Sequence, residues 1–286
     1  MNINISRIEN PSDREIEQIQ QIIDICNSHD GTSYDFDSED DYRKPGEANY
    51  FILYGDGEPL SAIYLFAPTS AEAEVYAFTK PEKRRQGYIS AILKEVAAEV
   101  KGRAIPSLLL VCDGNSKAGK AFIDNRKFLY EYSEFSMSWE PPLPEIGFRE
   151  IDIRPVREED REELIQINSE AFGDERSTTI EIIDLFFSSD KRDFYAVTHN
   201  GAVVGMIGRY LEESRDYIHG FAMDKAVRGK GWGRQALLLM VGICRQSDPE
   251  RSIVLEVETE NERALGLYKR CGFRLVSRFG YYREVL

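Results

Sequence analysis

The chain carries the same order of sequence signals twice, and this internal repeat limits the folds open to it. In the first half, a predicted strand at residues 74–78 leads into Lys83-Arg-Arg-Gln-Gly87 and then into a helical stretch. In the second half, a predicted strand at residues 217–223 leads into Arg228-Gly-Lys-Gly-Trp-Gly233 and another helical stretch. A repeat close to half of the 286 residues is too long for a solenoid, so each copy should have its own core.

The parallel continues downstream and defines the expected domains. An apolar strand precedes Asn115 in the first copy and Asn261 in the second, and a short helix and a further strand follow in both. The proline-rich segment that starts at residue 140 cannot continue a helix or a central strand. The sequence therefore predicts two domains with mixed α/β sheets, at residues 1–139 and 151–286, joined by a linker at 140–150.

Composition excludes several classes of protein. The formal net charge is −14, which repels nucleic acid phosphates and anionic lipid surfaces. No apolar run approaches the roughly 18 to 20 residues of a membrane span, and no basic and apolar leader begins the chain. The four cysteines and three histidines lack metal-ligand or CxxC spacing, which disfavours a metal site and a disulfide framework. We expect a cytoplasmic protein without nucleic acid or membrane partners.

Residues 228–233, termed the glycine loop, join the predicted strand of the second copy to its helix. Such a loop presents free backbone N–H groups at the positive end of a helix, where anions bind. Arg228 and Lys230 add positive charge. Two common phosphate-binding signatures do not fit, because Lys230 is followed by glycine, and because Arg234 stands where GxGxxG needs its last glycine. A glycine loop alone remains weak support for nucleotide binding.

The string Arg228-x-x-Gly231-x-Gly233 resembles the [Q/R]xxGx[G/A] signature of the GNAT acyltransferase superfamily, whose loop holds the pyrophosphate of acetyl-CoA. Residues 153–156 and 253–273 resemble other parts of that family, so the likeness covers nearly all of 151–286. It implies tandem GNAT-like domains, each with a mixed sheet splayed at one strand pair and helices on both faces. The coenzyme-binding residues that it implies are Phe221 and Met223 through their backbones, and Arg228, Gly229, Lys230, Gly231, Trp232, Gly233 and Asn261.

The same resemblance assigns the proton transfers of acyl transfer. Tyr268 stands at the position of the family's general acid, which protonates the departing thiolate. His219 stands in the strand where some arylalkylamine acetyltransferases place their base, and the usual histidine pKa near 6.5 suits that role. Glu256 and a chain of water molecules are the alternatives for the base.

A covalent route through a cysteine is the rival mechanism. Neither Cys244 nor Cys271 has a histidine at a recognisable spacing, so direct transfer in a ternary complex is preferred. The first copy carries Ile89 where the loop needs glycine or alanine, and Phe122 aligns with Tyr268. We therefore expect a degenerate first domain that completes the substrate cleft or stabilises the second.

The predicted function is acetyl transfer from acetyl-CoA to a primary amine of a small molecule. The acidic stretch at residues 30–47 is usually a solvated loop, but at a cleft entrance it would favour a cationic amine. The alternative is a non-catalytic module that senses coenzyme A or binds another protein.

Overall fold

The structure, a computed structural model, describes residues 2–36, 44–212 and 214–286, apart from the side chain of Val285. The chain divides into two compact units. The first consists of Met1–Ser133 and Ser277–Leu286, and the second of Glu134–Val276. Most of the acidic residues of the stretch 30–47 lie at 37–43, outside the described residues. The predicted role of that stretch therefore concerns residues whose structure is not described.

Among the described residues, the first unit contains five complete strands, parts of two others and three α-helices. They are β1 (Ile3–Ile8), α1 (Asp13–Asp30), β2 (Tyr50–Gly55), β3 (Glu58–Phe66), β4 (Ala73–Thr79), α2 (Tyr88–Gly102), β5 (Ser107–Asp113), α3 (Lys117–Arg126), residues 129–133 of β6 (Leu129–Trp139) and residues 277–285 of β12 (Phe273–Val285). The sheet order is β1-β2-β3-β4-β5-β12. All neighbours are antiparallel except β4 and β5, which are parallel.

The second unit repeats this plan. Its elements are residues 134–138 of β6 (Leu129–Trp139), β7 (Asp152–Pro155), α4 (Arg161–Phe172), α5 (Arg176–Ser188), β8 (Arg192–His199), β9 (Ala202–Leu211), β10 (Arg215–Met223), α6 (Trp232–Ser247), β11 (Ser252–Glu258) and α7 (Glu262–Arg270). The sheet order is β7-β8-β9-β10-β11-β6, and only β10 and β11 are parallel.

The last strand of each sequence repeat, β6 in the first and β12 in the second, pairs with a strand of the other repeat. Residues 279–285 of β12 pair with β5 in the first unit, and residues 134–138 of β6 pair with β11 in the second. The compact units therefore differ from the predicted domains, 1–139 and 151–286. Alternating side chains predict a strand, but its backbone groups pair equally well with any free sheet edge. The predicted linker at 140–150 contains no helix or strand in the described structure.

Alternating side chains bury both faces of each sheet. In the first unit, Phe51 and Leu53 pack in a cluster with α2, whereas Tyr50 and Ile52 pack in a cluster with α1. In the second unit, one cluster includes α6 and the other includes α4 and α5. The helices consequently cover both faces. No helix among the described residues has the length and apolar character needed to cross a bilayer.

The parallel pair of the second unit separates part-way along its length. Residues 215–218 of β10 pair with residues 252–255 of β11, and β10 then shifts register against β9 between His219 and Ala222. Gly220, at this bulge, has a φ of +56°. The bulge turns β10 away, so the two strands leave an opening, termed the strand gap, beyond Ile218 and Leu255.

We expect Gly220→Ala to lower the free energy of unfolding by about 2 kcal/mol. The added Cβ would lie 2.7 Å from Cζ of Phe194, and alanine disfavours the positive φ. Urea denaturation measures the change. Gly242→Ala is the control, because a Cβ there meets nothing within 4 Å inside α6, and we expect no loss of stability. Equal stability of the two variants would contradict the need for glycine at the bulge.

Candidate active site

The glycine loop connects β10 to α6 in a conformation that favours glycine at two positions. Gly229 has a φ of +88°, and Gly231, the N-cap of α6, has φ +83° and ψ −3°. A Cβ at either position would meet nothing within 4 Å, so backbone conformation and not space selects glycine. The structure therefore places the predicted glycines where they shape the turn.

The N-terminus of α6 is free to receive an anion. No side chain caps this helix in the described structure, and no acidic residue lies in its first turn. Helix α7, in contrast, is capped by Asn261, whose Oδ1 accepts a hydrogen bond of 3.1 Å from the N–H of Ala264. The uncapped N–H groups of α6 and its dipole therefore attract negative charge.

The cationic and aromatic side chains of the loop support its shape. The Nε of Arg228 donates a 3.0 Å hydrogen bond to the carbonyl of Met223 and ties the loop to the end of β10. Trp232 is buried and stacks on His199 with ring centroids 4.2 Å apart, while Nζ of Lys230 lies 4.8 Å from the Trp232 centroid. The Trp232 side chain thus anchors the helix in the core, and its backbone N–H lies in the first turn.

Phe221 and Met223 pack against the first turn of α6. A Cβ built on Gly233 would lie 3.5 Å from Cζ of Phe221 and Cγ of Met223, and 3.8 Å from Cδ2 of Leu267. Their side chains belong to this core cluster. Asn261 uses one lone pair of its side-chain oxygen as the helix cap, while that oxygen keeps a second lone pair and the amide nitrogen keeps its two donor hydrogens.

Tyr268 lies on α7, on the α6 side of the sheet. Its ring centroid is 6.5 Å from that of Phe221 and 6.1 Å from that of Phe273. The side chain is 9% exposed, and burial raises the pKa of Tyr268 to about 12. The hydroxyl therefore stays protonated at neutral pH and can donate a proton or a hydrogen bond.

His219 lies on the other face of the sheet. Its ring centroid is 5.4 Å from those of Phe186 and Phe194, and it stacks on Tyr217 at 6.1 Å with nearly parallel planes. Tyr217 donates a 3.0 Å hydrogen bond from Oη to Oε2 of Glu256, and burial raises the pKa of this carboxyl group. The contact through Tyr217 joins two candidate bases, a link that spacing along the chain does not reveal.

The structure thus brings proton donors and acceptors to opposite faces of the sheet around the strand gap. Tyr268 is on the α6 face with Ile218 and Leu255, whereas alternation puts His219 and Glu256 on the opposite face.

The two cysteines of the rival mechanism do not have the properties of nucleophiles. Both are buried, and burial raises the pKa of Cys244 to about 12 and that of Cys271 to about 11. Neither is a thiolate at neutral pH, so neither has the form in which cysteine acts as a nucleophile. No cluster of three or more His, Cys, Asp or Glu side chains able to hold a metal ion occurs among residues 2–36, 44–212 and 214–286.

This fold and site define a class of acyltransferase. Residues 156–273 match the model of the acetyltransferase (GNAT) family. This part of the chain is therefore a GNAT-family acetyltransferase domain, and the predicted fold class is confirmed. The family uses acetyl-CoA.

Comparisons with individual proteins agree on the fold. The N-alpha-acetyltransferase RimI of Mycobacterium tuberculosis is 37% identical over 67 residues, which cover 23% of this chain and 40% of that protein. A GCN5-related N-acetyltransferase from Sphaerobacter thermophilus superposes with a TM-score of 0.81 at 18% identity, covering 99% of this chain and 95% of that one. A tandem GNAT protein from the clavulanic acid biosynthesis pathway gives 0.72 at 12% identity, with coverages of 99% and 98%. The tandem arrangement of the fold thus has solved counterparts over the full chain.

Proposed function

We propose that the second unit transfers an acetyl group from acetyl-CoA to a primary amine of a small molecule, directly and within a ternary complex. The observation that carries this proposal is the buried Tyr268, whose ring centroid lies 6.5 Å from that of Phe221 on β10, where β10 has ceased to pair with β11 and leads into the uncapped N-terminus of α6. RimI, which resembles this chain over 67 residues, is itself an N-acetyltransferase.

The residues of the second unit fit acetyl-CoA. Gly229 and Gly231 hold the glycine loop in the positive-φ conformation that exposes N–H groups to a diphosphate. Beyond Ile218, β10 no longer pairs with β11, so the backbone of Phe221 lies at an edge where an extended amide-containing arm can pair with it. Acetyl-CoA, when bound, supplies an activated thioester.

Acyl transfer needs two proton transfers, one to the departing sulfur and one from the amine, and we assign them to groups on opposite faces of the sheet. The acceptor must lose a proton before its nitrogen forms the new bond to the acyl carbon, and the departing sulfur must gain one. Tyr268 gives its hydroxyl proton to that sulfur, since its raised pKa keeps the proton available at neutral pH. A base on the face of His219 receives the proton of the amine.

His219 and Glu256 are the two candidates for this base. The aromatic rings of Phe186 and Phe194 surround His219, as around a packed side chain. Burial raises the pKa of Glu256, which makes its carboxylate a stronger base, and the hydrogen bond from Tyr217 orients that carboxylate. His219 remains the base that the resemblance implies, and the following experiment separates the two.

Two variants are compared, Glu256→Gln and His219→Asn. We expect the variant that removes the base to lower kcat/KM at neutral pH by about 100-fold, and the other variant to have a smaller effect. The base acts when unprotonated, so activity of the unaltered protein falls as pH drops through its pKa. Loss of the base should remove this acidic limb from the pH profile. Glu258→Gln, an exposed carboxylate on the same strand, is the control. If both variants retain the acidic limb of the pH profile, neither side chain is the base, and a chain of water molecules is the remaining candidate.

The acceptor that we propose is a cationic primary amine. The net charge of −14 attracts cations at long range, and Glu256 offers a carboxylate on the acceptor face. A panel of polyamines, aminoglycosides and amino acid derivatives tests this, with thiol release from acetyl-CoA as the readout. N,N-dimethylated analogues of each amine are matched controls. Absence of amine-dependent thiol release across the panel would favour a non-catalytic module.

A further inference from the structure

The C-terminal end of α7, the helix of Tyr268, is bound by the last residue of β6. Nε1 of Trp139 donates a 3.1 Å hydrogen bond to the carbonyl of Cys271, the C-cap of that helix. Trp139 and Cys271 are 8% and 0% exposed, in the core cluster that also contains Tyr268. Because water does not compete for a buried hydrogen bond, this contact fixes where α7 ends.

A second hydrogen bond ties the turn after α7 to the same end of β6. The backbone N–H of Glu140 donates a 3.0 Å bond to the carbonyl of Gly272. Gly272 has a φ of +99°, and a Cβ added to it would lie 3.0 Å from Nε1 of Trp139 and 3.1 Å from the carbonyl oxygen of Glu140. Both the conformation and the close approach therefore require glycine at this turn.

The contact reaches the backbone of Tyr268 through one further hydrogen bond. The N–H of Cys271 donates a 3.0 Å bond to the carbonyl of Tyr268 and a 3.1 Å bond to that of Leu267. Cys271 thus bonds Trp139 through its carbonyl and Tyr268 through its N–H. Because the direction of a helical side chain follows its backbone, a shift of the last turn of α7 would move the Tyr268 hydroxyl.

Helix α7 depends on tertiary contacts for its position. It is nine residues long, and Tyr268 is the one buried residue of these nine. Helices this short are marginal without packing against other elements. Asn261 caps the first turn of α7, and the hydrogen bond from Trp139 secures the last.

Trp139 is itself held by a strand and a helix of the second unit. Residues 134–138 of β6 pair with β11, and Met137 is fully buried in the same core cluster. The guanidinium carbon of Arg245, on α6, lies 5.7 Å from the Trp139 ring centroid. Since β6 belongs to the first sequence repeat and α7 to the second, the first repeat supplies this contact to the helix of Tyr268.

We propose that Trp139 is a positioning residue, whose hydrogen bond to Cys271 places the Tyr268 hydroxyl for proton transfer to the departing sulfur. It acts through α7 and not on the reacting groups. The proposal rests on the function proposed for the second unit. It also gives the first repeat a part in that function, because β6 comes from that repeat.

Hydrogen–deuterium exchange of the full chain tests the contact without any substrate. Trp139→Phe keeps an aromatic ring but removes the N–H donor, so the carbonyl of Cys271 loses this hydrogen bond. We expect the amides of residues 267–272 to exchange about tenfold faster, with exchange in α4 unchanged. Met137→Leu, a buried substitution of similar volume on the same strand, is the control and should leave exchange at 267–272 unaltered.

A double-mutant cycle on kcat separates positioning from general destabilisation. We expect Trp139→Phe to lower kcat about tenfold, with the KM for acetyl-CoA within about twofold of that of the unaltered protein. In a Tyr268→Phe background the same substitution should not lower kcat further, because the hydroxyl that it misplaces is absent. Additive effects of the two substitutions on the free energy of activation would overturn the proposal.

Gly272→Ala repeats both measurements from the side of α7, in case Trp139→Phe does not fold. Its Cβ would press on Nε1 of Trp139, so we expect the same faster exchange and the same loss of kcat. Gly201→Ala, at φ +85° with nothing within 4 Å of the added Cβ, is the control for strain and should change neither quantity.

The two proposals fail on different results. If the unaltered chain transfers no acetyl group to any amine, the function proposed for the second unit fails. If it does transfer acetyl groups, and exchange at 267–272 is unchanged in Trp139→Phe and Gly272→Ala, only the role of Trp139 is overturned.

Discussion

Tyr268→Phe is expected to lower kcat by about 100- to 1,000-fold, with the Kd for coenzyme A nearly unchanged. The hydroxyl acts on the departing sulfur, so its loss affects the transition state and not the bound ground state. Phenylalanine keeps the ring that packs against Phe221 and Phe273, so the fold should be retained. Steady-state kinetics with a reactive amine and titration with coenzyme A measure the two quantities.

Tyr195→Phe is the matched control for this experiment. Tyr195 packs against the same core cluster as Tyr268, and burial likewise raises its pKa, but it lies on β8. We expect its removal to leave kcat within about twofold, as for a hydroxyl outside the reacting groups. A kcat for Tyr268→Phe equal to that of the control would remove Tyr268 from the mechanism.

Gly231→Val is expected to weaken coenzyme binding in the second unit by about 100-fold and to abolish measurable acetyl transfer at ordinary acetyl-CoA concentrations. A branched residue at φ +83° costs about 1–3 kcal/mol, so the loop relaxes and its N–H groups turn away from the diphosphate. Each lost hydrogen bond to a charged group costs a further 1.5–3 kcal/mol or so. Titration and kinetics report binding and transfer separately.

Gly201→Val controls for strain unrelated to the loop. Gly201 has a φ of +85° in the turn between β8 and β9, and an added Cβ there meets nothing within 4 Å. We expect reduced stability with coenzyme affinity unchanged. Acetyl transfer retained by Gly231→Val at the level of the control would place the diphosphate elsewhere and withdraw the proposed site.

Local features of the site were predictable because they depend on residues adjacent in sequence. A strand, a glycine loop and a helix follow one another within residues 217–246, and backbone conformation follows from where glycine occurs. The family match over 156–273 confirms the domain that these residues indicated. Tyr268 lies on its predicted helix for the same reason.

Features that depend on atoms distant in sequence were not predictable in this way. The hydrogen bond from Tyr217 to Glu256 joins two strands 39 residues apart. Sequence alignment paired Phe122 with Tyr268, whereas the helix caps at Ser116 and Asn261 pair Ile123 with it.

The amino-acid sequence by itself determined the internal repeat, the types of the helices and strands, and the residues of the glycine loop. Each of these depends on residues that are near one another in the chain. Tertiary packing decided which sheet edge each copy's last strand joins, with 279–285 beside β5 and 134–138 beside β11. It also decided that the first unit encloses a cavity. Strand edges are interchangeable in their backbone hydrogen bonds, and a cavity exists only where several distant side chains leave space between them.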